Sequence, residues 1–356
     1  MTGIPTYVSE LSKHLSRSLD VTGYAITWRG RKRLRAVSPP SWNVPAAYRC
    51  LVPVAVAERT WPLFRLPPIQ YWVTRKQDVV HATNYQLPPT WGVPALVSVH
   101  DLAALDPDST CPLSEAALRQ VGNAVSYGAH FHVATQAVAD DLGNHFALPA
   151  ERITVIPHGP PAMAPVPEAS TKQPGPPYFL VLGTVVRRKR IPWIIQTFDR
   201  VADAFPTLRL KIAGSANPSD AVDSMWAAKQ SARHGSRIDI LGYVSPAEKR
   251  DLLEGATGLV MASSHEGFGF PILEAFSTGV PVIATNGGAM AEVAGTAALL
   301  VDPSSQDDAA DCMQLLMKDE SVGRRLAQAG AERLDAFSWD RSARMHADLY
   351  ATLSQG

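Results

Sequence analysis

The chain has 356 residues, which is long for one domain and comfortable for two. Its hydrophobic content of 46% and charged content of 19% are ordinary for a globular protein, and no apolar run of about 18 residues predicts a transmembrane helix. The three cysteines are odd in number and scattered, which argues against a disulfide framework and a Cys-based metal site, and favours a reducing cytoplasm.

The charges sum to zero but are unevenly distributed. Residues 1–76 contain 12 Lys or Arg and three Asp or Glu, so this segment carries a net charge of +9. Its densest stretch, WRGRKRLR, runs from Trp28 to Arg35. The stretch is either a solvated loop after a strand or a patch for an anionic membrane surface or a phosphorylated acceptor. Nucleic acid is a weaker interpretation, because no nucleic-acid-binding motif is visible.

The first half of the chain alternates helix and strand patterns. Amphipathic spacing predicts helices in TYVSELSKHLSR (6–17), SEAALRQVGNAVSYGA (114–129) and TQAVADDLGNHF (135–146). Short apolar runs predict strands in VTGYAIT (21–27), DVVHAT (78–83), ALVSVHD (95–101), HFHVAT (130–135) and RITVIPHG (152–159).

The second half repeats this alternation more clearly. Strands are predicted in YFLVLG (178–183), LRLKIAG (208–214), RIDILG (237–242), TGLVMAS (257–263), VPVIAT (280–285) and AALLVD (297–302). Helices are predicted between them, for example in SPAEKRDLLEGA (245–256), where Ser245 is the N-cap and Pro246 the first helical residue. Strands that alternate with helices indicate βαβ units and a parallel sheet.

A proline-rich stretch divides the chain into two Rossmann-like lobes. We predict a first lobe over residues 1–160, a linker over 161–177, a second lobe over 178–336 and a terminal helix over 337–356. Ligands bind at the carboxyl ends of the strands in open α/β sheets, so the two lobes would enclose a binding cleft.

The stretch HEGFGFPILEAF, from His265 to Phe276, is built to hold an anion. Gly267 and Gly269 let the backbone approach a ligand, and free amides at the start of the following helix make a phosphate site. Glu266 and Glu274 would flank that anion and accept hydrogen bonds from vicinal hydroxyls, as a nucleotide sugar requires. The structural alternative is that Glu274 only favours the helix dipole and Glu266 lies on the surface.

This stretch resembles the E-x7-E motif of the retaining glycosyltransferases of family 4, which have the GT-B fold. VSVHDL, RITVIPHG, VLGTVVRRKR, PVIATNGGAMAEVAG and FSWDRSARMHADLYATL resemble further parts of that family, so the resemblance covers nearly the whole chain. It implies an α/β fold with an acceptor-side first lobe, a nucleotide-sugar-binding second lobe and a terminal helix that crosses back to the first lobe.

The resemblance also implies roles for individual residues. Glu274 binds the ribose hydroxyls and Glu266 the transferred sugar. The other donor-binding residues would be Gly183, Thr184, Gly267, Phe268 and Gly269. The catalytic residues would be Arg188, Lys189, Glu266 and His100. Gly3 and Asp101 would lie on the acceptor side. The alternative for His100 is a hydrogen-bonded histidine at a strand end.

The chemistry that follows is departure of a nucleoside diphosphate from an anomeric carbon. Arg188, Lys189 and the helix N-terminus would stabilise the leaving phosphate. No D-x-D stands in a loop suited to Mg²⁺, so we expect no metal and no cofactor beyond the donor. The G-T-x-x-x-R-K pattern resembles bacterial mannosyltransferases of surface-polysaccharide synthesis, which makes GDP-mannose the leading donor, with a glycan or lipid-linked acceptor. We expect a cytoplasmic enzyme, peripheral at the inner face of the membrane if the basic stretch contacts anionic lipid.

Two other functions remain open on the same fold. One is an enzyme that does not transfer the sugar, such as a 2-epimerase, or a phosphorylase. The other is an inactive protein that binds sugar nucleotides. Retention of both glutamates and of the Arg-Lys pair argues against the inactive protein.

The start of the first lobe departs from the family pattern. The family begins with a short strand before its glycine-rich loop and first helix, whereas MTGIPTYVSELSKHL begins with the loop and helix. That strand is central in a doubly wound sheet. We therefore expect either a chain that starts upstream of Met1 or a first-lobe sheet that is rearranged or weakened.

Overall fold

A computed structural model of the protein contains two parallel β-sheets, one in each lobe. The structure describes residues 3–23, 61, 66, 68–71, 76–105, 112–164 and 175–355. The predicted α/β class with two parallel sheets is confirmed. Within these ranges, no helix combines the length and apolar character that a membrane span requires.

The first lobe contains a four-stranded parallel sheet in the order β1-β2-β3-β4. Its elements are α1 (Gly3–Leu15), β1 (Val80–Ala82), β2 (Ala95–Val99), α2 (Pro112–Ser126), β3 (His130–Val133), α3 (Gln136–Phe146) and β4 (Ile153–Val155). Leu96, Val97 and Phe131 are fully buried, because both faces of the central strands are covered.

Within the described residues, β1 lies at the edge of the first-lobe sheet. The described residues pair β1 with β2 alone. The predicted strand at 21–27 lies outside the described residues from Tyr24 onward, and so does the basic stretch from Trp28 to Arg35. The expectation of a rearranged first-lobe sheet therefore stays a prediction.

The second lobe contains a six-stranded parallel sheet in the order β10-β9-β8-β5-β6-β7. The elements of its first half are β5 (Tyr178–Leu182), α4 (Ile191–Val201), β6 (Arg209–Ala213), α5 (Asp220–Ser231), β7 (Ile238–Gly242) and α6 (Pro246–Glu254). Those of its second half are β8 (Gly258–Met261), α7 (Phe270–Ser277), β9 (Val282–Thr285), α8 (Gly288–Ala294), β10 (Leu299–Val301), α9 (Gln306–Lys318) and α10 (Glu320–Leu334). Ser245 caps α6 in a reciprocal capping box with Glu248, as its sequence predicts.

The last helix, α11 (Trp339–Gln355), returns to the first lobe and packs on α1. Tyr7 and Leu11 of α1 are buried with Trp339 in one apolar cluster. At the surface, the Oδ1 atom of Asp340 lies 2.7 Å from the ring nitrogen Nδ1 of His14. The two lobes are thus joined by this helix as well as by the linker, whose residues 165–174 lie outside the described part of the chain.

Candidate functional site

A cavity of about 870 Å³ lies between the lobes, at the carboxyl ends of β2 and β5. All twelve residues that the sequence singled out line it: Gly3, His100, Asp101, Gly183, Thr184, Arg188, Lys189, Glu266, Gly267, Phe268, Gly269 and Glu274. The structure therefore brings these residues to one place, although their individual roles remain predictions.

The loop between β8 and α7 reaches directly to the first lobe. Gly269 adopts a left-handed conformation (φ 87°), which favours glycine, and α7 begins at Phe270, one residue before the predicted Pro271. A Cβ atom at Gly267 would lie 1.5 Å from the carbonyl oxygen of His100, so only glycine fits there. The Thr135 hydroxyl also donates to the carbonyl oxygen of Gly267 at 3.1 Å. The cleft is therefore closed at this loop.

Two cations and one carboxylate form the charged centre of the cavity. Arg188 and Lys189 lie in a short 3-10 turn between β5 and α4. The Oε1 atom of Glu266 lies 2.5 Å from Nζ of Lys189 and 2.8 Å from Nη1 of Arg188. The Ser263 hydroxyl donates to the same oxygen at 2.9 Å. The sequence placed Glu266 beside an anion site; the structure shows that its own carboxylate contacts the cations of that site.

Glu266 is ionised at neutral pH despite its burial. Burial alone would raise the pKa of Glu266, but the charges of Lys189 and Arg188, with their hydrogen bonds, lower that pKa to about 2. An incoming diphosphate would therefore meet two cations that already share one negative charge.

A glycine leaves room for the lysine. Gly183 follows β5 with φ 130°, in the region that side chains rarely adopt. A Cβ atom there would lie 3.2 Å from Cε of Lys189. Gly183 thus allows the Lys189 side chain to cross the end of the strand and enter the cavity.

The second glutamate of the motif also has a lysine partner. Glu274 lies in α7 and is 6% exposed, and its Oε1 atom accepts a hydrogen bond from Nζ of Lys249. Lys249 lies in α6 and lines the same cavity. The sequence analysis missed Lys249, because its helix carries a capping signal but no motif that would indicate a ligand.

His100 is held as a neutral ring at the end of β2. Its Nε2 atom donates to the carbonyl oxygen of Thr83 at 2.8 Å, which leaves Nδ1 as an acceptor. Burial lowers the pKa of His100, although the bond to Thr83 and the charge of Asp101 oppose that shift. His100 therefore offers the cavity a hydrogen-bond acceptor and no charge.

Asp101 connects the first lobe with the cations of the second. Its Oδ2 atom lies 4.0 Å from Nη2 of Arg188. Its backbone amide donates to the Tyr85 hydroxyl at 3.0 Å. Tyr85, which the sequence analysis did not single out, thus fixes the first-lobe residue Asp101 beside the cations of the second lobe.

Hydrogen bonds outside the cavity also connect the two lobes. Glu292 of α8 accepts hydrogen bonds from the backbone amides of Gln136 at 2.9 Å and Ala137 at 3.1 Å. These amides are the first two of α3, where a carboxylate is favoured by the helix dipole.

Three histidines beneath the cavity have ring nitrogens within 4.8 Å of one another: His81, His132 and His346. The Nε2 atom of His132 donates to the carbonyl oxygen of Ile156 at 3.0 Å, and Nδ1 of His346 to that of Ser342 at 2.8 Å. Burial is the main cause that lowers the pKa of all three, so the rings are neutral at pH 7.

Hydroxyl groups bond to the remaining nitrogens of this cluster. Ser98 Oγ lies 2.7 Å from Nε2 of His81 and 2.9 Å from Nδ1 of His132. The Tyr350 hydroxyl lies 2.6 Å from Nδ1 of His81, and the Tyr7 hydroxyl lies 3.3 Å from Nε2 of His346. Every ring nitrogen thus has a partner, and the cluster joins α1, the first sheet and α11 as a hydrogen-bonded polar core.

Two family profiles match the chain and together cover nearly all of it. The profile described as "Glycosyltransferase Family 4" matches residues 1–160, and the profile described as "Glycosyl transferases group 1" matches residues 165–333. The boundary between the two profiles falls at the proline-rich linker.

Named relatives and a solved structure agree with these profiles. The chain is 27% identical over 305 residues to "O-antigen chain mannosyltransferase B" of Escherichia coli, covering 81% of this chain and 78% of the relative. It is 27% identical over 301 residues to "D-inositol 3-phosphate glycosyltransferase" of Corynebacterium glutamicum, covering 79% and 70%. Sucrose-phosphate synthase from Thermosynechococcus elongatus has a similar fold, with a TM-score of 0.76, 22% identity and coverage of 99% and 94%.

Proposed function

Because the chain belongs to the glycosyltransferases of family 4, we propose that its cleft transfers a hexose, with mannose expected first, from a nucleoside-diphosphate sugar to a glycan or lipid-linked acceptor. The observation that carries this proposal is the contact of Glu266 with Lys189 and Arg188 inside the interlobe cavity. A partly buried cation pair beside a helix N-terminus suits a diphosphate, and a carboxylate beside it suits sugar hydroxyls.

The proposed reaction breaks the bond between the anomeric carbon and the diphosphate oxygen. A bond from an acceptor hydroxyl oxygen to the anomeric carbon forms on the same face, so the configuration is retained. The acceptor's proton passes to the leaving phosphate. Negative charge grows on that phosphate in the transition state, where Arg188, Lys189 and the N-terminus of α7 stabilise it.

The remaining residues of the cavity would hold the two sugars in place. Glu266 contacts the cations through Oε1, and its Oε2 atom would accept hydrogen bonds from the hydroxyls of the transferred sugar. His100 presents its Nδ1 acceptor from the opposite lobe. Asp101 and Gly3 line the cavity, and there they would contact the acceptor.

We propose that the reaction needs no divalent metal, since Arg188 and Lys189 supply fixed positive charge for the diphosphate. Activity that is equal with EDTA and with added Mg²⁺ is the expected result. Loss of turnover in EDTA, restored by Mg²⁺, would overturn this part of the proposal.

Mannose is supported by the relative whose name is "O-antigen chain mannosyltransferase B" and by the G-T-x-x-x-R-K pattern at residues 183–189. A thermal-shift screen against GDP-, UDP-, ADP- and dTDP-sugars tests the donor. Incubation of the stabilising donor with acceptor extracts should then release free nucleoside diphosphate. Conversion of the donor to an epimeric sugar nucleotide, without release of nucleotide, would instead identify a 2-epimerase.

A peripheral contact with the inner face of an anionic membrane remains part of the proposal. Its support is the charge of the stretch from Trp28 to Arg35, which lies outside the described residues. The fraction of protein that sediments with anionic liposomes should fall as the salt concentration rises. The attraction is electrostatic and contributes about 1 kcal/mol per charge near the surface. Absence of binding at low salt would remove it.

A further inference from the structure

Lys249 and Glu274 meet at one end of the cavity. Tyr243, Val244 and Pro246 line that end as well, and Arg188 and Lys189 belong to the charged centre. The Lys249 side chain is 25% exposed and that of Glu274 is 8% exposed. The pair is therefore open to a ligand from the side of the lysine, while the carboxylate is largely removed from water.

A carboxylate that is largely removed from water is stabilised by a hydrogen-bonded cation. Burial of an unpaired charge is costly, whereas a hydrogen-bonded cation offsets much of the cost. Within the described part of the chain, Lys249 is the cation in ion-pair contact with Glu274. It contacts Oε1, and the same part of the chain provides no hydrogen-bond donor to Oε2.

We propose that Lys249 is a positioning residue for nucleotide recognition: its hydrogen bond holds and orients the Glu274 carboxylate, so that the carboxylate accepts hydrogen bonds from the vicinal diol of the ribose. This inference rests on the proposed function, because it takes Glu274 as the ribose-binding residue. It adds that selection for an intact ribose depends on a lysine 25 residues away in another helix.

A comparison of the affinities for ribonucleotides and for dideoxynucleotides tests the proposal. The probes are GDP, UDP and ADP; the one that binds wild type most tightly is compared by calorimetry with its 2′,3′-dideoxy form. The variants are Lys249→Met, Lys249→Arg, Glu274→Gln and the double variant Lys249→Met/Glu274→Gln. Arg250→Met is the matched control, because Arg250 follows on the same helix but pairs with Glu254 and does not line the cavity.

We expect wild type and Arg250→Met to prefer the ribose form by about tenfold, as charge-assisted hydrogen bonds to a diol predict. Lys249→Met should reduce that preference to about threefold or less, and Lys249→Arg should restore most of it. The double variant should lose no more than Glu274→Gln alone, because the two residues act as one unit. Binding of inorganic pyrophosphate, which lacks the ribose, should be nearly unchanged in Lys249→Met and shows that the site remains folded.

A full ribose preference in Lys249→Met, with the preference lost in Glu274→Gln, would overturn the role of Lys249 and leave the ribose role of Glu274 intact. A wild-type protein that binds both forms equally would overturn the role of both residues while leaving diphosphate binding in place. Failure of all three nucleotides to bind wild type would overturn the proposed function, and this inference with it.

Discussion

The Oε1 atom of Glu266 lies 2.5 Å from Nζ of Lys189, so the carboxylate and the ammonium group neutralise each other in the interlobe cavity. A diphosphate that enters must share the lysine with this carboxylate. Under the proposed function, the pair would therefore set how tightly the leaving group is held, both before and after the transfer.

Replacing Lys189 should impair the chemical step more than binding. Negative charge on the leaving phosphate is greatest in the transition state, so Lys189→Ala should lower kcat by about two orders of magnitude, as loss of one oxyanion-type donor does. Lys229→Ala is the control, since Lys229 lies over the Trp226 ring and not in the cavity. Steady-state kinetics with an unchanged kcat and a raised KM would refute the catalytic role.

Replacing Glu266 should raise the affinity for the nucleoside diphosphate product and lower the turnover rate. Glu266→Gln removes the anion that competes for Lys189 and Arg188, so the free nucleoside diphosphate should bind about tenfold more tightly. Turnover should fall, because the transferred sugar loses its charged acceptor and the product leaves slowly. Calorimetry with the nucleoside diphosphate checks the first effect. Weaker binding of the diphosphate in this variant would contradict the competition.

A methyl group at Gly267 should force the lobes apart. The Cβ atom of an alanine would lie 1.5 Å from the carbonyl oxygen of His100, far inside van der Waals contact. Gly267→Ala should therefore reduce turnover by at least about a hundredfold, because the acceptor and donor sides are no longer aligned. Gly175→Ala is the control, since a Cβ atom there meets no atom within 4 Å. Small-angle X-ray scattering should show a more open shape for Gly267→Ala, and wild-type kinetics in this variant would contradict the closed cleft.

The buried histidines should make the protein sensitive to acid. Burial is the first cause that lowers the pKa of His81, His132 and His158 in the folded state, and it lowers that of His346 to about 4. Above about pH 6.5 these residues are neutral in both states, and their contribution to stability is complete. Below that pH the unfolded chain binds protons first, so stability should fall by about 1.4 kcal/mol per pH unit for each histidine, down to its folded-state pKa.

Urea unfolding of the protein at several pH values measures this loss. The midpoint should be flat from pH 8 to 7 and should fall steeply from pH 6.5 to 5. A midpoint that stays constant between pH 7 and 5 would show that these rings do not remain neutral in the folded state.

Local signals in the sequence predicted much of the site. The glycines and proline around Gly269 and Pro271 require a loop that turns into a helix, whatever the rest of the fold does, and the structure has this turn one residue early. The parallel topology followed from alternating apolar runs and helical spacing, since these patterns depend on near neighbours. The cation pair at Arg188 and Lys189 was implied by the resemblance of VLGTVVRRKR to the family, not by the spacing of the strands.

Contacts between distant elements could not be predicted in the same way. Lys249 reaches Glu274 because α6 and α7 meet at the cavity, and nothing in the spacing of SPAEKR indicates that partner. Tyr85 contacts Asp101 within the first lobe, and Glu292 contacts the start of α3 across the lobes. Both contacts depend on packing between segments that are distant in the sequence. The direct contact of Glu266 with the cations also required the three-dimensional arrangement, because the sequence placed it only beside an anion.

Calorimetric titration of GDP-mannose, UDP-glucose and ADP-glucose into wild type and into Arg188→Ala/Lys189→Ala tests the central claim most directly. The account predicts that at least one sugar nucleotide binds wild type with one-to-one stoichiometry. It also predicts that the double variant binds that donor at least about tenfold more weakly, because two charge-assisted contacts to the diphosphate are lost. Equal binding to wild type and the double variant, or no binding of any of the three to wild type, would contradict it.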